Sequence, residues 1–274
     1  MVGRAALVAC ILLAGGAGAY GEDQTSESLG PRVWKIAPEV SRYKYREPGV
    51  MTNEGTLYGV VASCTFHGLG RSVLTPFGTD GNETLAIEGR LGFGEVDYEG
   101  SDMDTGTPIS MGGNDDFLID LRVLLGSECL AAKGLDMVYA GLGYRYLNDD
   151  SSSQLGGYER ESNYLYIPLG LRPDIKLTTR WTLSPTCELD ILLIGHQISH
   201  LSDADPQKPT VRTWQWPGFG AGLFLDLRHR GRHVDFALAP FLRYWWLADS
   251  STSEGYYEPE NNTFEYGLSL VGRF

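Results

Sequence analysis

Apolar and polar residues alternate with a period of two along most of the chain. Phe264, Tyr266 and Leu268 share one face of the last such segment, and Glu265 and Ser269 share the other. A period of two is typical of a β-strand with two different faces. The pattern therefore predicts an all-β chain of ten strands, with eight or twelve as alternatives because the first strand and the 71–82 region are poorly patterned. The ten segments lie at about 34–45, 58–67, 85–93, 116–125, 138–145, 164–176, 183–193, 219–228, 234–246 and 264–274.

Two architectures accommodate such strands. A soluble sandwich or lipocalin-type barrel keeps its apolar face inside, whereas a transmembrane barrel turns that face toward lipid. Strands of about ten residues suit a tilted membrane span, and connections that alternate between long and short favour a transmembrane antiparallel up-and-down β-barrel. The predicted long polar connections are 47–55, 100–114, 149–160, 202–213 and 250–260, and the short ones are 130–135, 177–179 and 230–232.

Aromatic residues cluster where the predicted strands meet the loops. Interfacial girdles of a membrane protein are built from such residues. We therefore expect these side chains to lie on the outer surface, at the edges of the membrane. They are Tyr43, Tyr45, Tyr144, Tyr146, Tyr164, Trp214, Trp216, Trp245 and Trp246.

The N-terminal segment has the pattern of an export signal. Arg4 precedes an apolar run that ends in the small residues Ala17–Ala19, as a cleavable secretory signal requires. We expect a signal peptide over 1–21, a short periplasmic segment over 22–33 and a barrel over 34–274. The net charge of −13 argues against nucleic-acid binding, which needs a basic face. Cys64, Cys129 and Cys187 form no CxxC pair, and we interpret them as small apolar residues.

The polar faces of the strands carry acids and bases in nearly equal number. Charges enclosed in a narrow barrel are costly unless they are paired, so we expect a network of ion pairs that fills the lumen, with a small gated pathway as the alternative. The predicted members are Glu88, Arg90, Asp120, Arg122, Arg145, Arg172, Glu188, Asp190, Asp226, Arg228, Asp235, Arg243 and Arg273.

The excess negative charge falls in the predicted long loops. Seven acids and no Lys or Arg lie between Glu95 and Asp116, and Asp149, Asp150 and Glu258 extend the same acidic rim. The simplest interpretation is a solvated rim. The alternative is Ca²⁺ or Mg²⁺ at this rim, bridging it to lipopolysaccharide phosphates. No other cofactor and no protein metal site is predicted.

The C-terminal strand resembles the assembly signal of Gram-negative outer-membrane barrels. Its apolar face carries Phe264, Tyr266, Leu268, Leu270 and Phe274. The resemblance implies an outer-membrane location, export through the periplasm with chaperones, insertion by the barrel-assembly machinery and contact with outer-membrane lipid. Further segments resemble an uncharacterised family of proteobacterial outer-membrane barrels, for which no activity carries over. They are 45–51 (YREPGVM), 141–149 (GLGYRYLND), 158–170 (YERESNYLYIPLG) and 258–267 (EPENNTFEYG).

One constellation offers an enzymatic alternative. A His oriented by a carboxylate can activate water, and His200 is followed closely by Asp203, while Asp102 and Asp104 fall in another predicted loop. Omptin proteases carry acidic pairs and an Asp-x-His on their loops, but the order here is His-x-x-Asp. No GxSxG, P-loop or HExxH motif is present. We therefore expect a structural or surface-interaction protein or a narrow channel, with an omptin-like hydrolase as the alternative.

Overall fold

The computed structural model describes residues 32–68, 83–101, 105–128 and 137–274. A short 3₁₀ helix, Leu201–Asp203, is the helical element of these residues. None of their helices is long and apolar enough to cross a membrane. The strands are β1 (Arg32–Glu47), β2 (Met51–His67), β3 (Glu83–Ser101), β4 (Pro108–Glu128), β5 (Met137–Asp150), β6 (Glu159–Arg172), β7 (Ile175–Lys176), β8 (Trp181–His200), β9 (Thr210–Gln215), β10 (Gly218–His229), β11 (Asp235–Leu247) and β12 (Asn261–Arg273).

The strands close into one antiparallel barrel. The hydrogen-bonded order runs β10-β11-β12-β1-β2-β3-β4-β5-β6-β8, and β10 pairs with β8 to complete the circle. β10 pairs with the first part of β8, and β9 pairs with its last part, so β9 and β10 together form one strand of the barrel. The two-residue strand β7 also pairs with β8. The barrel therefore has ten strands, which confirms the prediction.

The faces of the barrel are inverted relative to a soluble protein. On β12, Phe264 and Tyr266 are exposed on the outside, whereas Glu265 between them is 1% exposed and points into the lumen. An apolar outer surface of this extent is stable against lipid and not against water. Outward apolar residues recur around the barrel and include Ile36, Val40, Ile87, Phe93, Leu121, Leu142, Leu189, Ile191, Leu223, Phe236, Leu238, Leu242, Leu268, Leu270 and Phe274.

The strands extend beyond the apolar belt at one end, which we call the upper rim. This end carries the connecting residues 48–50, 105–107, 151–158, 201–209 and 248–260, and the opposite end, near Phe274, is the lower rim. The long loop expected at 47–55 is wrong: Gly49 adopts φ +78° in a tight turn, and Val50 N donates to Glu47 O. Polar strand ends above a membrane have the composition of loops, which is why the sequence pattern overestimated the loop lengths.

The predicted aromatic girdle is only partly correct. Trp214 and Trp216 are exposed on the outer surface, and the outward positions of β5 and β11 carry Tyr144, Tyr146 and Trp246. The remaining four aromatic residues occupy inward positions and are buried in the lumen, because each lies an even number of residues from other inward residues of its strand. They are Tyr43, Tyr45, Tyr164 and Trp245.

A β-bulge reverses the facing of the upper part of β8. Leu165 pairs with Ile194, but the next residue, Tyr166, pairs with Leu192, so Leu193 is an additional residue. A bulge of this kind shifts the alternation by one position. As a result Gln197 points into the lumen, while His196 and His200 occupy outward positions.

The closed barrel should show heat-modifiable migration. Protein taken from isolated outer membranes is expected to run faster on a detergent gel before boiling than after, because the folded barrel stays compact in mild detergent. Protein that is recovered from the periplasm in soluble form, with no change of migration on boiling, would contradict the outward assignment of the apolar faces.

Candidate functional site: the interior of the barrel

The lower half of the barrel encloses a cavity of about 630 Å³. This volume lies in the range of small-molecule sites. The lining combines charged and aromatic side chains, among them Lys35, Tyr139, Arg172, Phe224 and Arg273. The expectation that a network of ion pairs fills the whole lumen is therefore wrong for its lower half.

Four charged side chains join the first and last strands across the middle of the lumen. Arg90 Nε donates to Glu39 Oε1 at 2.5 Å, and its Nη2 donates to Glu265. The Arg243 guanidinium lies 3.4 Å from Glu39 and 3.6 Å from Glu265. Ser41 Oγ adds a hydrogen bond of 2.6 Å to Glu265. These contacts connect β1, β3, β11 and β12 around the closure of the barrel.

A second group lies on the opposite side of the lumen. Arg122 donates through Nη2 to Glu88 at 2.6 Å and through Nη1 to Glu188 at 2.7 Å. The Tyr139 hydroxyl donates to the other Glu188 oxygen at 2.6 Å. This group ties β3, β4, β5 and β8 together. Arg122 lies on β4 and Glu188 lies on β8, three strands further along the sheet, so this ion pair spans the lumen between strands that are not neighbours.

Charge pairs also line the lower rim. Arg273 donates to Asp226, and Asp174 lies between Arg228 at 3.6 Å and Arg172 at 3.7 Å. The predicted members Arg172, Asp226, Arg228 and Arg273 thus each lie near an opposite charge. The two contacts of Asp174 are long.

Four predicted members, Asp120 among them, form no ion pair with another described residue. Arg145 is 1% exposed, with no carboxylate of the described residues within 4.0 Å, and its guanidinium lies 5.5 Å from the Trp245 ring. Asp190 Oδ1 is buried without a hydrogen-bond partner. Arg145 and Asp190 both line a cavity of about 40 Å³, which is large enough for ordered water. Asp235 lies at the lower rim and accepts a hydrogen bond from Gly231 N.

Asp120 is bound by a tyrosine rather than by an arginine. The Tyr166 hydroxyl donates to Asp120 Oδ1 at 2.6 Å. Sequence analysis also missed Glu39, although it contacts both Arg90 and Arg243. The alternation of β1 was the signal that could have found it, because Ala37, Glu39 and Ser41 share one face.

Apolar and aromatic side chains fill the upper half of the lumen, which the sequence did not predict. They form two buried clusters, one on each side of the lumen, which we call the apolar plug. The clusters are Tyr43, Tyr45, Met51, Leu57, Val96, Leu118 and Leu147, and Tyr164, Tyr166, Leu192, Trp245 and Leu247.

A buried charge cluster covers the plug at the upper rim. Arg160 Nη1 donates to Glu47 at 2.5 Å and to Glu258 at 3.0 Å, and Nη2 donates to Asp149 at 3.0 Å. The Tyr45 hydroxyl contacts both Glu47 and Glu258. Burial, and next the charge of Glu47, raise the pKa of Glu258 to about 8.

The predicted solvated rim is therefore wrong for several of its acids. Asp116, Asp149 and Glu258 are buried in the lumen. Glu95 and Asp115 are exposed but belong to β3 and β4 rather than to a loop. Successive residues of a strand face opposite sides of the sheet, so neighbouring acids are alternately buried in the lumen and exposed outside. A loop imposes no such alternation.

The residues of the hydrolase alternative do not converge where the structure describes them. His200 Nε2 lies 3.0 Å from Glu161 Oε1, and Asp203 instead accepts a hydrogen bond from Glu159 N. Asp102 and Asp104 lie outside the described residues. No group of three or more His, Cys, Asp or Glu side chains within the described ranges is arranged to hold a metal ion. Cys64 and Cys187 are free thiols, and Cys129 lies outside the described ranges.

Removal of Arg90 should destabilise the barrel strongly. Arg90→Ala leaves Glu39 and Glu265 buried with only Arg243 nearby, so we expect a loss of about 3–5 kcal/mol in the free energy of unfolding. Urea unfolding in lipid vesicles measures it. Arg42→Ala is the control, because Arg42 is 44% exposed in its pair with Glu54 and such pairs contribute less than about 1 kcal/mol. Equal losses in both variants would contradict a structural role of the buried network.

No family model and no curated protein matches this chain. Among solved structures, it is similar to the outer membrane protease OmpT from Escherichia coli, at 11% identity over 92% of this chain and 99% of that chain, with a TM-score of 0.51. The beta domain of the Bordetella autotransporter BrkA gives 9% identity, 89% and 99% coverage and a TM-score of 0.41. Neisserial surface protein A is 9% identical over 88% of this chain and 95% of that chain, with a TM-score of 0.35. The chain thus has the fold of outer-membrane β-barrel proteins, and its apolar outer surface places it in a membrane.

Proposed function

We propose that this chain is a closed outer-membrane barrel with a structural or surface-interaction role, and not an open porin. In this proposal the signal peptide over 1–21 is cleaved on export and the upper rim faces the outside of the cell. Chaperones and the barrel-assembly machinery deliver the chain. The segment that the assembly machinery recognises is the outward face of β12 with the residue that follows it, namely Phe264, Tyr266, Leu268, Leu270 and Phe274.

The closure of the upper lumen is the observation that carries this proposal. Tyr43 and Leu118 from one side and Tyr164 and Trp245 from the other are all buried inside the barrel. The Arg160 cluster covers them. Ions need a continuous polar path to cross a barrel, and a lumen occupied by packed side chains does not provide one.

The upper rim supplies a surface for contacts outside the cell. Leu155 and Tyr257 are exposed in two of the upper connections, beside acids such as Asp150 and Glu260. Exposed apolar groups surrounded by charge are typical of interaction sites. We propose outer-membrane lipid and lipopolysaccharide as the immediate surroundings of this rim.

A narrow channel is the second candidate. The cavity of about 630 Å³ in the lower lumen favours it, because a channel would then require displacement of only the upper half of the interior.

The closed barrel should be silent in planar bilayers. We expect no conductance steps from the protein and steps from the double variant Tyr43→Ala, Trp245→Ala, which removes one large side chain from each cluster of the plug. Tyr58→Ala is the control, because Tyr58 is exposed on the outer surface. Steps from the unaltered protein would support the channel instead.

The hydrolase alternative makes a separate prediction. The purified barrel is expected to leave a peptide library uncleaved, because Asp203 does not orient His200: Asp203 accepts a hydrogen bond from Glu159 N, whereas His200 pairs with Glu161. Cleavage that disappears in His200→Ala but persists in His196→Ala would establish the hydrolase and refute the structural role.

A further inference from the structure

Four buried polar side chains occupy inward positions inside the upper rim, beside the Arg160 cluster. Asp116 and Asp149 lie directly opposite each other on β4 and β5, and they are 3% and 9% exposed. Asn53 of β2 reaches Asp149, with Nδ2 donating to Oδ2 at 2.5 Å. Asn114 lies two residues before Asp116 on the same inward face of β4, and it is buried as well. Three strands thus contribute to one group.

Most oxygens of this group have no hydrogen-bond partner. Both carboxylate oxygens of Asp116 and the Oδ1 atoms of Asn53 and Asn114 are buried without one. The Asn53 amide nitrogen must face the Asp149 carboxylate, because only the nitrogen can donate, so its oxygen lies next to that carboxylate. A buried acceptor without a partner carries a desolvation cost. Four such atoms, two on Asp116 and one each on its strand neighbour Asn114 and on Asn53, which is bonded to the facing Asp149, indicate that something positive belongs there.

The charges around the group are also unbalanced. Arg160 is the one base in contact with Glu47, Asp149 and Glu258, and Asp116 adds a fourth carboxylate without an ion pair in the described part of the chain. Isolated buried carboxylates are costly.

The group lies above the membrane. The residues next to it on β4 and β5, Asp115 and Asp150, take outward positions and are paired directly across the strands. Two carboxylates on the outer surface at this height exclude contact with the hydrocarbon core. Small ions from the external medium can therefore reach this level of the barrel.

We propose that Asp116 and Asp149, together with the amide oxygens of Asn53 and Asn114, bind a Ca²⁺ ion that cross-links β2, β4 and β5 inside the upper rim. Carboxylate and amide oxygens are the ligands that a hard cation prefers. Ca²⁺ tolerates an irregular set of protein ligands, whereas Mg²⁺ demands octahedral geometry and retains its waters. Asp116 and Asp149 belong to the acidic rim at which the sequence suggested a divalent cation, but they are buried in the lumen rather than exposed toward lipopolysaccharide.

Calcium titration of the whole barrel tests the proposal. The protein is folded into phosphatidylcholine vesicles, which carry no net charge that could recruit the ion, and is stripped with EDTA. Calorimetric titration with CaCl₂ is expected to show one site per barrel with a Kd of about 10⁻⁴–10⁻³ M or lower. The urea midpoint should rise with CaCl₂ and then saturate, and MgCl₂ at the same concentration should raise it less.

Matched variants separate this site from the exposed acids. Asp116→Asn should weaken Ca²⁺ binding at least about tenfold, since it removes one of two ligand charges, and in EDTA its urea midpoint should equal or exceed that of the unaltered protein because a buried charge is gone. Asp115→Asn and Asp150→Asn make the same charge change at outward positions of the same strands and should bind Ca²⁺ normally. Asn114→Ala serves as a second test of the ligand set if Asp116→Asn does not fold.

Two results would overturn the proposal. If the two carboxylates are kept neutral by a proton instead, CaCl₂ will produce no binding heat and no change in the urea midpoint. If Asp115→Asn or Asp150→Asn abolishes the Ca²⁺ response while Asp116→Asn retains it, the ion binds on the outer surface of the barrel. Neither result bears on whether the barrel conducts, so the proposed function stands or falls separately.

Discussion

Backbone groups facing lipid have no water to bind, so a sheet in a membrane must pair every strand edge within itself. Here the first and last strands meet this constraint: β1 pairs with β12, and Trp34 and Phe274 exchange two backbone hydrogen bonds of 2.8 and 3.0 Å. Closure then assigns each side chain to one of two environments, lipid or lumen. The interior of a ten-stranded barrel is narrow, and whatever the strands place there must pack or pair.

The interior meets this requirement differently at different heights. Near the closure of the barrel, Arg90 and Arg243 are matched by Glu39 and Glu265, and nearly every charge has a partner. Above this level, packed tyrosines and leucines replace ions. At the upper rim, Arg160 is shared by three carboxylates among the described residues, and Asp116 adds a fourth. This local excess of negative charge is why a cation belongs there.

Closure at the top and a cavity at the bottom give the barrel a polarity along its axis. A lumen whose large cavity lies in its lower half suits the proposed role, in which the protein makes contacts through its upper rim and not through a pore. The likeness to OmpT concerns the fold alone at 11% identity. The pairing of His200 with Glu161, on the outside of β6 and β8, is a feature of this chain that the shared fold does not explain.

The sequence by itself determined the strand number, the inverted faces and most members of the lumen network, because a period of two fixes which side each residue faces relative to its neighbours. It did not determine that Tyr43 and Trp245 face inward, that Asp149 is buried, or that the bulge at Leu193 turns His200 outward. Alternation shows which residues of a strand share a face, but not which face points into the lumen. Where a strand continues above the membrane or gains one residue, its facing can be determined only from its pairing with the neighbouring strands. Which charges meet, such as Arg122 and Glu188 across the lumen, depends on barrel closure, and only the tertiary structure decided it.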